Sequence, residues 1–393
     1  MPKPARRVAT IANAGRRPCI YCNEVRPFTN EHVFPAGLGG DDSRYLLKDL
    51  VCGYCNTDVF SKLEARFMRS SPAAIGRIFL QKHGRGKGKK ASIPTIDTTT
   101  TTVLLPERGL VEAEVGASGK TVALLQLLFS NEGHVQLAGG DHAPVASFMN
   151  ALASVLTEKV SLVSKRTNDN RTIYSVEALE WDGNAYNVAG TDILDKPPAG
   201  CVWREPLILL TQNVVEDARK PTLYQRIAGQ IVLRVPEGPG AASMLGKARK
   251  AVEKLEGVTP DFTPVPNPIV AMSFSMQMND FGRILAKIGV NLVAHLYGER
   301  YVRHHAFKNI KRMILTDSAI VRFKASEIAK AFSGVPHDRH VMTLAYQKAS
   351  AGRYHLVLFI RLYGSAMAVH LTSKALLPPI KDQFIYVIDY NAG

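Results

Sequence analysis

The chain has 393 residues, 46% hydrophobic and 21% charged, an ordinary globular composition with room for two or three separately cored domains. No run approaches the roughly 18 uncharged apolar residues of a membrane span, and the basic start MPKPARRVATIANAGRR lacks the apolar stretch of a secretory signal, so a cytoplasmic protein with no membrane partner is expected. The net charge of +15 is concentrated: residues 1–90 carry 17 Lys and Arg against 7 Asp and Glu, the rest 32 against 27, which suits a phosphate-backbone partner and equally a solvated basic surface.

In chain order, residues 1–16 have no periodicity and are expected to be mobile. From Cys19 the pattern tightens into a knuckle at CIYC, an extended piece from Thr29 to Phe34, a glycine-rich turn at LGGDD and a second knuckle at CGYC. A helix should start at Asn56, because Val59, Leu63 and Phe67 recur every four residues, and Ser70-Ser71-Pro72 ends it or opens the next segment. KHGRGKGKK, residues 82–90, reads as a flexible cationic linker. A strand is expected over 96–103, with low-complexity disorder the alternative for its five-threonine run, then a helix over 143–163, a strand pair over 171–189, a turn at KPPAG and a helix over 243–256. The proline-rich TPDFTPVPNP then separates a C-terminal third. There, 280–299 forms a helix with Phe281, Ile284, Leu285, Ile288, Leu292 and Leu296 on one apolar stripe, and VMTLAY, YHLVLFIRLYG, AMAVHL and FIYVIDY read as an antiparallel meander. The expected fold class is α+β, divided into a module at 17–80, a linker at 81–95, a middle domain at 96–258 and a C-terminal region at 259–393.

Four of the five cysteines form two CxxC pairs, Cys19/Cys22 and Cys52/Cys55, with 29 residues between the pairs. Four thiolates suit tetrahedral Zn²⁺, and a fully ligated zinc has no open position, so its expected role is structural. Cys201 stands apart and reads as a small buried hydrophobe.

The pattern CIYC, EHVFPAGLGG, LVCGYCN and FSKLEARFMRSSP resembles the HNH nuclease family, in the subgroup whose ββα-metal core is braced by a four-cysteine zinc; the resemblance covers residues 17–80. It implies that His32 is the general base that deprotonates the attacking water, that Glu31 and Asn56 ligate a catalytic Mg²⁺ or Mn²⁺, and that the products carry 5′-phosphate and 3′-hydroxyl ends. The chemistry is coherent, since an imidazole titrates near neutrality and carboxylate and amide oxygens are hard ligands. Two departures stand out. Asn56 occupies a position where many members have His, and the family's middle Asn has no match, the aligned positions being Arg44 or Leu47. Glu64 is a reserve ligand or a solvated helix charge.

Arg66, Arg69, Arg77, Lys82, Arg85, Lys87, Lys89 and Lys90 are candidates for phosphate contacts, with plain solvation the alternative. GASGKT at 116–121 is no phosphate loop, because Glu114 stands where its first glycine belongs. His304, His305, His337 and His340 lack clustered co-ligands and read as surface or core residues, and Trp181 and Trp203 as core. The expected function is a metal-dependent endonuclease acting on DNA, with RNA left open. Residues beyond 90 would recognise a target, form a homodimer or sense a small-molecule or nucleotide trigger, as in restriction or antiphage-defence effectors. The alternative is a nucleic-acid-binding clamp that has lost activity.

Overall fold

The structure, a computed structural model, describes residues 17–39, 44–82, 94, 96, 100–105, 109–115, 119–130, 134–140, 145–168, 171–207, 220–255, 269–273, 276–316, 323–325, 332, 334–349, 352–377 and 384–391. They belong to two compact units. One draws on residues 1–97, 117–119 and 275–393, the other on 98–116 and 120–274. The module expected at 17–80 and the C-terminal third are therefore parts of one unit, and the middle region is inserted between them in sequence.

In the first unit, β1 (Phe28–His32) and β2 (Leu46–Cys52) pair antiparallel, a wide π-type turn over Tyr54–Phe60 runs into α1 (Ser61–Arg69), and α2 (Pro72–Leu80) follows. Ser71 explains the α2 start: its hydroxyl accepts from the Ala73 amide, and Pro72 at the first helical position has no N–H to leave unpaired.

The second unit contributes β3 (Thr100–Leu105), β4 (Gly109–Val115), β5 (Thr121–Ala123), β6 (Gln126–Phe129), β7 (Val135–Ala138), α3 (Val145–Val155), β8 (Lys159–Asn168), β9 (Arg171–Trp181), β10 (Tyr186–Leu194), β11 (Val202–Pro206), β12 (Thr222–Gln225), β13 (Ile231–Val235), α4 (Ala241–Leu255) and β14 (Ile269–Ser273). Eight strands form a mixed sheet in the order β10-β9-β8-β11-β13-β12-β6-β7, in which β11 runs parallel to β8 and β13, and four more form the order β14-β3-β4-β5. The helix expected over 143–163 ends at Val155. Beyond it, Val160, Leu162 and Val163 are buried in a strand whose backbone groups pair with β9, and that ladder outweighs local helical preference.

The chain returns to the first unit with α5 (Met278–Val302), α6 (Lys308–Leu315), β15 (Phe323–Ala325), β16 (His340–Lys348), β17 (Tyr354–Leu362), β18 (Ser365–His370) and β19 (Ile385–Ile388). These five strands form an antiparallel sheet in the order β15-β18-β17-β16-β19, so the last strand folds back beside the first of the expected meander. α5 joins this sheet to the N-terminal module. Its expected apolar stripe is buried from Phe281 to Leu292, Leu296 is half-buried, and Phe67 of α1 stacks on Phe281 with ring centroids 5.6 Å apart. Each fully buried Leu, Ile or Phe on this seam contributes about 1.5–3 kcal/mol relative to exposure, which makes the seam a core rather than a docking contact. Gly298, at φ 81°, breaks the helical path near the α5 end.

Candidate functional site

The four sulfurs converge. Cys19, Cys22, Cys52 and Cys55 place their Sγ atoms all within 4.8 Å of one another, with Cys19 and Cys55 3.9 Å apart and Cys22 and Cys52 3.7 Å apart. The amides of Tyr21 and Cys52 each donate to Cys19 Sγ at 3.4 Å, and Asn23 takes the left-handed conformation (φ 60°) that closes the first knuckle. The hydrogen bond with Cys55 holds the Cys19 thiol well below the ordinary range, while burial pushes Cys22 up. Four converging cysteines, three buried and Cys22 half-buried, free of disulfides, fit a zinc ion. Among the described residues, this is the one gathering of three or more His, Cys, Asp or Glu side chains suited to a metal.

From the side of Cys52, β1 leads away to His32. β1 pairs with β2 through Phe28 opposite Cys52 and His32 opposite Leu46, with a register shift between Thr29 and Glu31. A shift of this kind re-aims side chains, and here Glu31 is 2% exposed while His32 is half-buried. Asn56, on the turn directly after Cys55, donates from Nδ2 to Thr29 Oγ1 at 3.0 Å and to the Asn30 carbonyl at 2.8 Å. Strand end, knuckle and helix start are thereby tied together. Strand, strand and helix follow one another as the ββα expectation requires.

The surroundings of Glu31 differ from those expected of a metal ligand. Its Oε1 forms an ion pair with Lys287 Nζ of α5 and accepts from Asn291 Nδ2 at 3.0 Å. Lys287 is fully buried and also pairs with Glu64. Burial pushes the Glu31 carboxyl up despite the adjacent ammonium. The downward effect of burial on Lys287 is outweighed by Glu31 and Glu64, which raise it. Glu64, expected to be a reserve ligand or a solvated charge, is instead one of two partners of a buried lysine. Both carboxylates are already engaged by the Lys287 ammonium, which would repel a second cation at the same oxygens, so Glu31 and Glu64 as they stand do not fit a divalent-cation site.

Asn291 and Lys287 belong to a polar row that sequence reasoning missed. Asp280, Arg283, Lys287, Asn291 and His295 recur every three or four residues along α5, on a helix otherwise read only for its apolar stripe. The first four are at most 5% exposed. Arg283 donates to Asp280 Oδ1 at 2.9 Å and to the Ile314 carbonyl, and His295, held below its ordinary range by burial, lies edge-on to Tyr45. A helix with one apolar face and a second, polar face of the same period is the signal that would have revealed them.

The expected phosphate contacts divide. Arg77 is buried at 8% exposure, and its Nη1 donates to the Met68 carbonyl at 3.3 Å, so it belongs to the interior. Arg66 pairs with Asp280 at 2.8 Å while staying half in solvent. Arg69 and Lys82 are exposed, and Arg85, Lys87, Lys89 and Lys90 lie outside the described residues, as do residues 1–16 and the proline-rich 259–268. His304 accepts from the Ala306 amide, capping a short turn. His340 is buried between Tyr363 and Tyr390 and pushed down to about 3, first by burial and then by Arg361. Cys201 is half-buried, less enclosed than expected, and Trp181 packs against Tyr186 with Arg249 over its face at 4.7 Å.

No protein-family model matches the chain, and no curated protein and no solved structure matches it. The class established by fold and site is accordingly an α+β protein with a four-cysteine cluster capable of holding zinc. No described helix is long and apolar enough to cross a membrane.

Proposed function

We propose that the first unit is a nucleic-acid phosphodiesterase of the HNH type, with His32 as the general base. One observation carries this reading: a half-buried histidine closes β1 of a ββα element, and Asn56, directly after the last of four converging cysteines, ties that strand to the start of the helix. Zn²⁺ held by Cys19, Cys22, Cys52 and Cys55 would supply a rigid floor and no chemistry. His32 would take the proton of a water as that water attacks phosphorus and the P–O3′ bond breaks, the departing 3′ oxygen taking a proton from solvent, and an imidazole is suited to this near neutral pH. Exposed Arg69 and Lys82, within the basic N-terminal segment, would attract the polyanion. DNA is the proposed substrate, and the second unit is proposed to recognise the target or a trigger.

Supercoiled-plasmid nicking tests this with wild type and His32→Ala, run in Mg²⁺, in Mn²⁺ and in EDTA, and with RNA alongside. Wild type should nick and His32→Ala should fall by at least about 100-fold, the scale of a lost general base. Equal rates for the two proteins would reject His32 as the base. The Glu31–Lys287 ion pair favours a second reading, a binding protein without hydrolytic activity. It would be preferred if both proteins shift DNA in a gel and neither cuts it under any of the three conditions.

A further inference from the structure

The segment carrying His32 is held from a distance of more than 250 residues in sequence. Asn291 Nδ2 donates to the His32 carbonyl at 2.9 Å and to Glu31 Oε1 at 3.0 Å, and its Oδ1 accepts from the Tyr21 hydroxyl at 2.6 Å. Tyr21 has a second acceptor, the Lys287 carbonyl, at 3.4 Å, so the shorter bond marks the direction of its proton. With that hydroxyl pointing into Oδ1, the amide cannot flip without facing two acceptors with an oxygen. All three of its polar contacts are then fixed and closed to water, because Asn291 is fully buried. Tyr21 lies inside the first cysteine knuckle, so the chain of bonds runs from the four-cysteine cluster through Tyr21 and Asn291 to the backbone of the histidine.

We propose that Asn291 is a positioning residue of this centre: its amide, locked by Tyr21, holds the His32 carbonyl and the Glu31 carboxylate and so aims the imidazole at the attacking water. The inference rests on His32 acting as the base. It is tested in the full chain with Asn291→Ala, Tyr21→Phe and, as a control on the same helix, Ile288→Val, by nicking kinetics over a pH series and by NMR titration of the His32 imidazole. Asn291→Ala should lower kcat about 100-fold with little change in KM and move the rising limb of the pH profile. Tyr21→Phe should cost about tenfold, the loss of one buried hydrogen bond, and Ile288→Val should leave kcat and profile in place. Wild-type kcat and pH profile in Asn291→Ala, or the same loss in Ile288→Val, would overturn the proposal while leaving the nuclease reading intact. Should wild type not cut under any condition, the hydrolytic reading fails and the positioning proposal falls with it, whereas a wild type that cuts and an Asn291→Ala variant that leaves the His32 titration unmoved would overturn the positioning alone.

Discussion

Lys287 is fully buried against Glu31 and Glu64, and Glu31 is nearly as enclosed. Removing one member of such a pair leaves an uncompensated charge in the interior, which costs more than the pair contributes. Lys287→Met should therefore lower the stability of the first unit by about 3–5 kcal/mol at neutral pH, and adding Glu31→Gln should restore most of it. The pH dependence follows from direction. Burial already raises the Glu31 carboxyl above its ordinary value, and losing the ammonium raises it further, so the folded variant takes up a proton at higher pH than the unfolded chain. The deficit of Lys287→Met should be largest above the folded Glu31 value and shrink as pH falls through it. Urea unfolding across that range checks this, and a deficit independent of pH would place the cost in packing instead.

At the scale of elements, α5 and α6 grip the first knuckle by its backbone. Lys311 of α6 donates to the carbonyls of Ile20 and Val302 at 2.9 and 3.0 Å, Arg303 bonds the Pro18 carbonyl, and burial pushes Lys311 down to about 8. Metal held by the four cysteines should then stabilise more than the residues that ligate it. Chelation is expected to speed amide exchange about 100-fold in the β1–β2 hairpin and equally around Asn291 in α5, followed by mass spectrometry. Loss of protection in the hairpin alone would show that α5 stands independently of the cluster. The apolar stripe of α5 was legible because buried side chains on a helix repeat every 3.6 residues. The polar row beside it was passed over because periodicity reports which face is buried, not whether polar residues on a second face have found partners.

At the scale of the molecule, one core is assembled from two distant stretches of chain. Phe34, Leu38, Phe60, Leu63 and Phe67 pack with Phe281, Ile284, Ile288 and Leu292, and with Leu358 and Ile360 of the antiparallel sheet. An excised fragment of residues 1–97 would expose that face. Even with zinc it is expected to aggregate or remain without fixed structure, whereas co-expression with residues 275–393 should recover a soluble complex. A stable, well-dispersed NMR spectrum from the fragment alone would contradict this and restore the module as an independent domain. Composition marks breaks in the chain, such as the glycine-lysine and proline-rich runs, but not that residues 1–97 and 275–393 belong to one unit across an insertion.

The sequence by itself determined the four-cysteine set, the strand ending in Glu31 and His32, the placement of Asn56 after the last cysteine, most helices and the four C-terminal strands, because spacing and periodicity are local and leave a direct mark. Only the tertiary structure decided what surrounds Glu31, since Lys287 and Asn291 reach it from more than 250 residues away through a shared core. Burial and pairing depend on the neighbours a side chain meets in space, and for this centre those neighbours lie on a helix that local pattern identifies only as apolar.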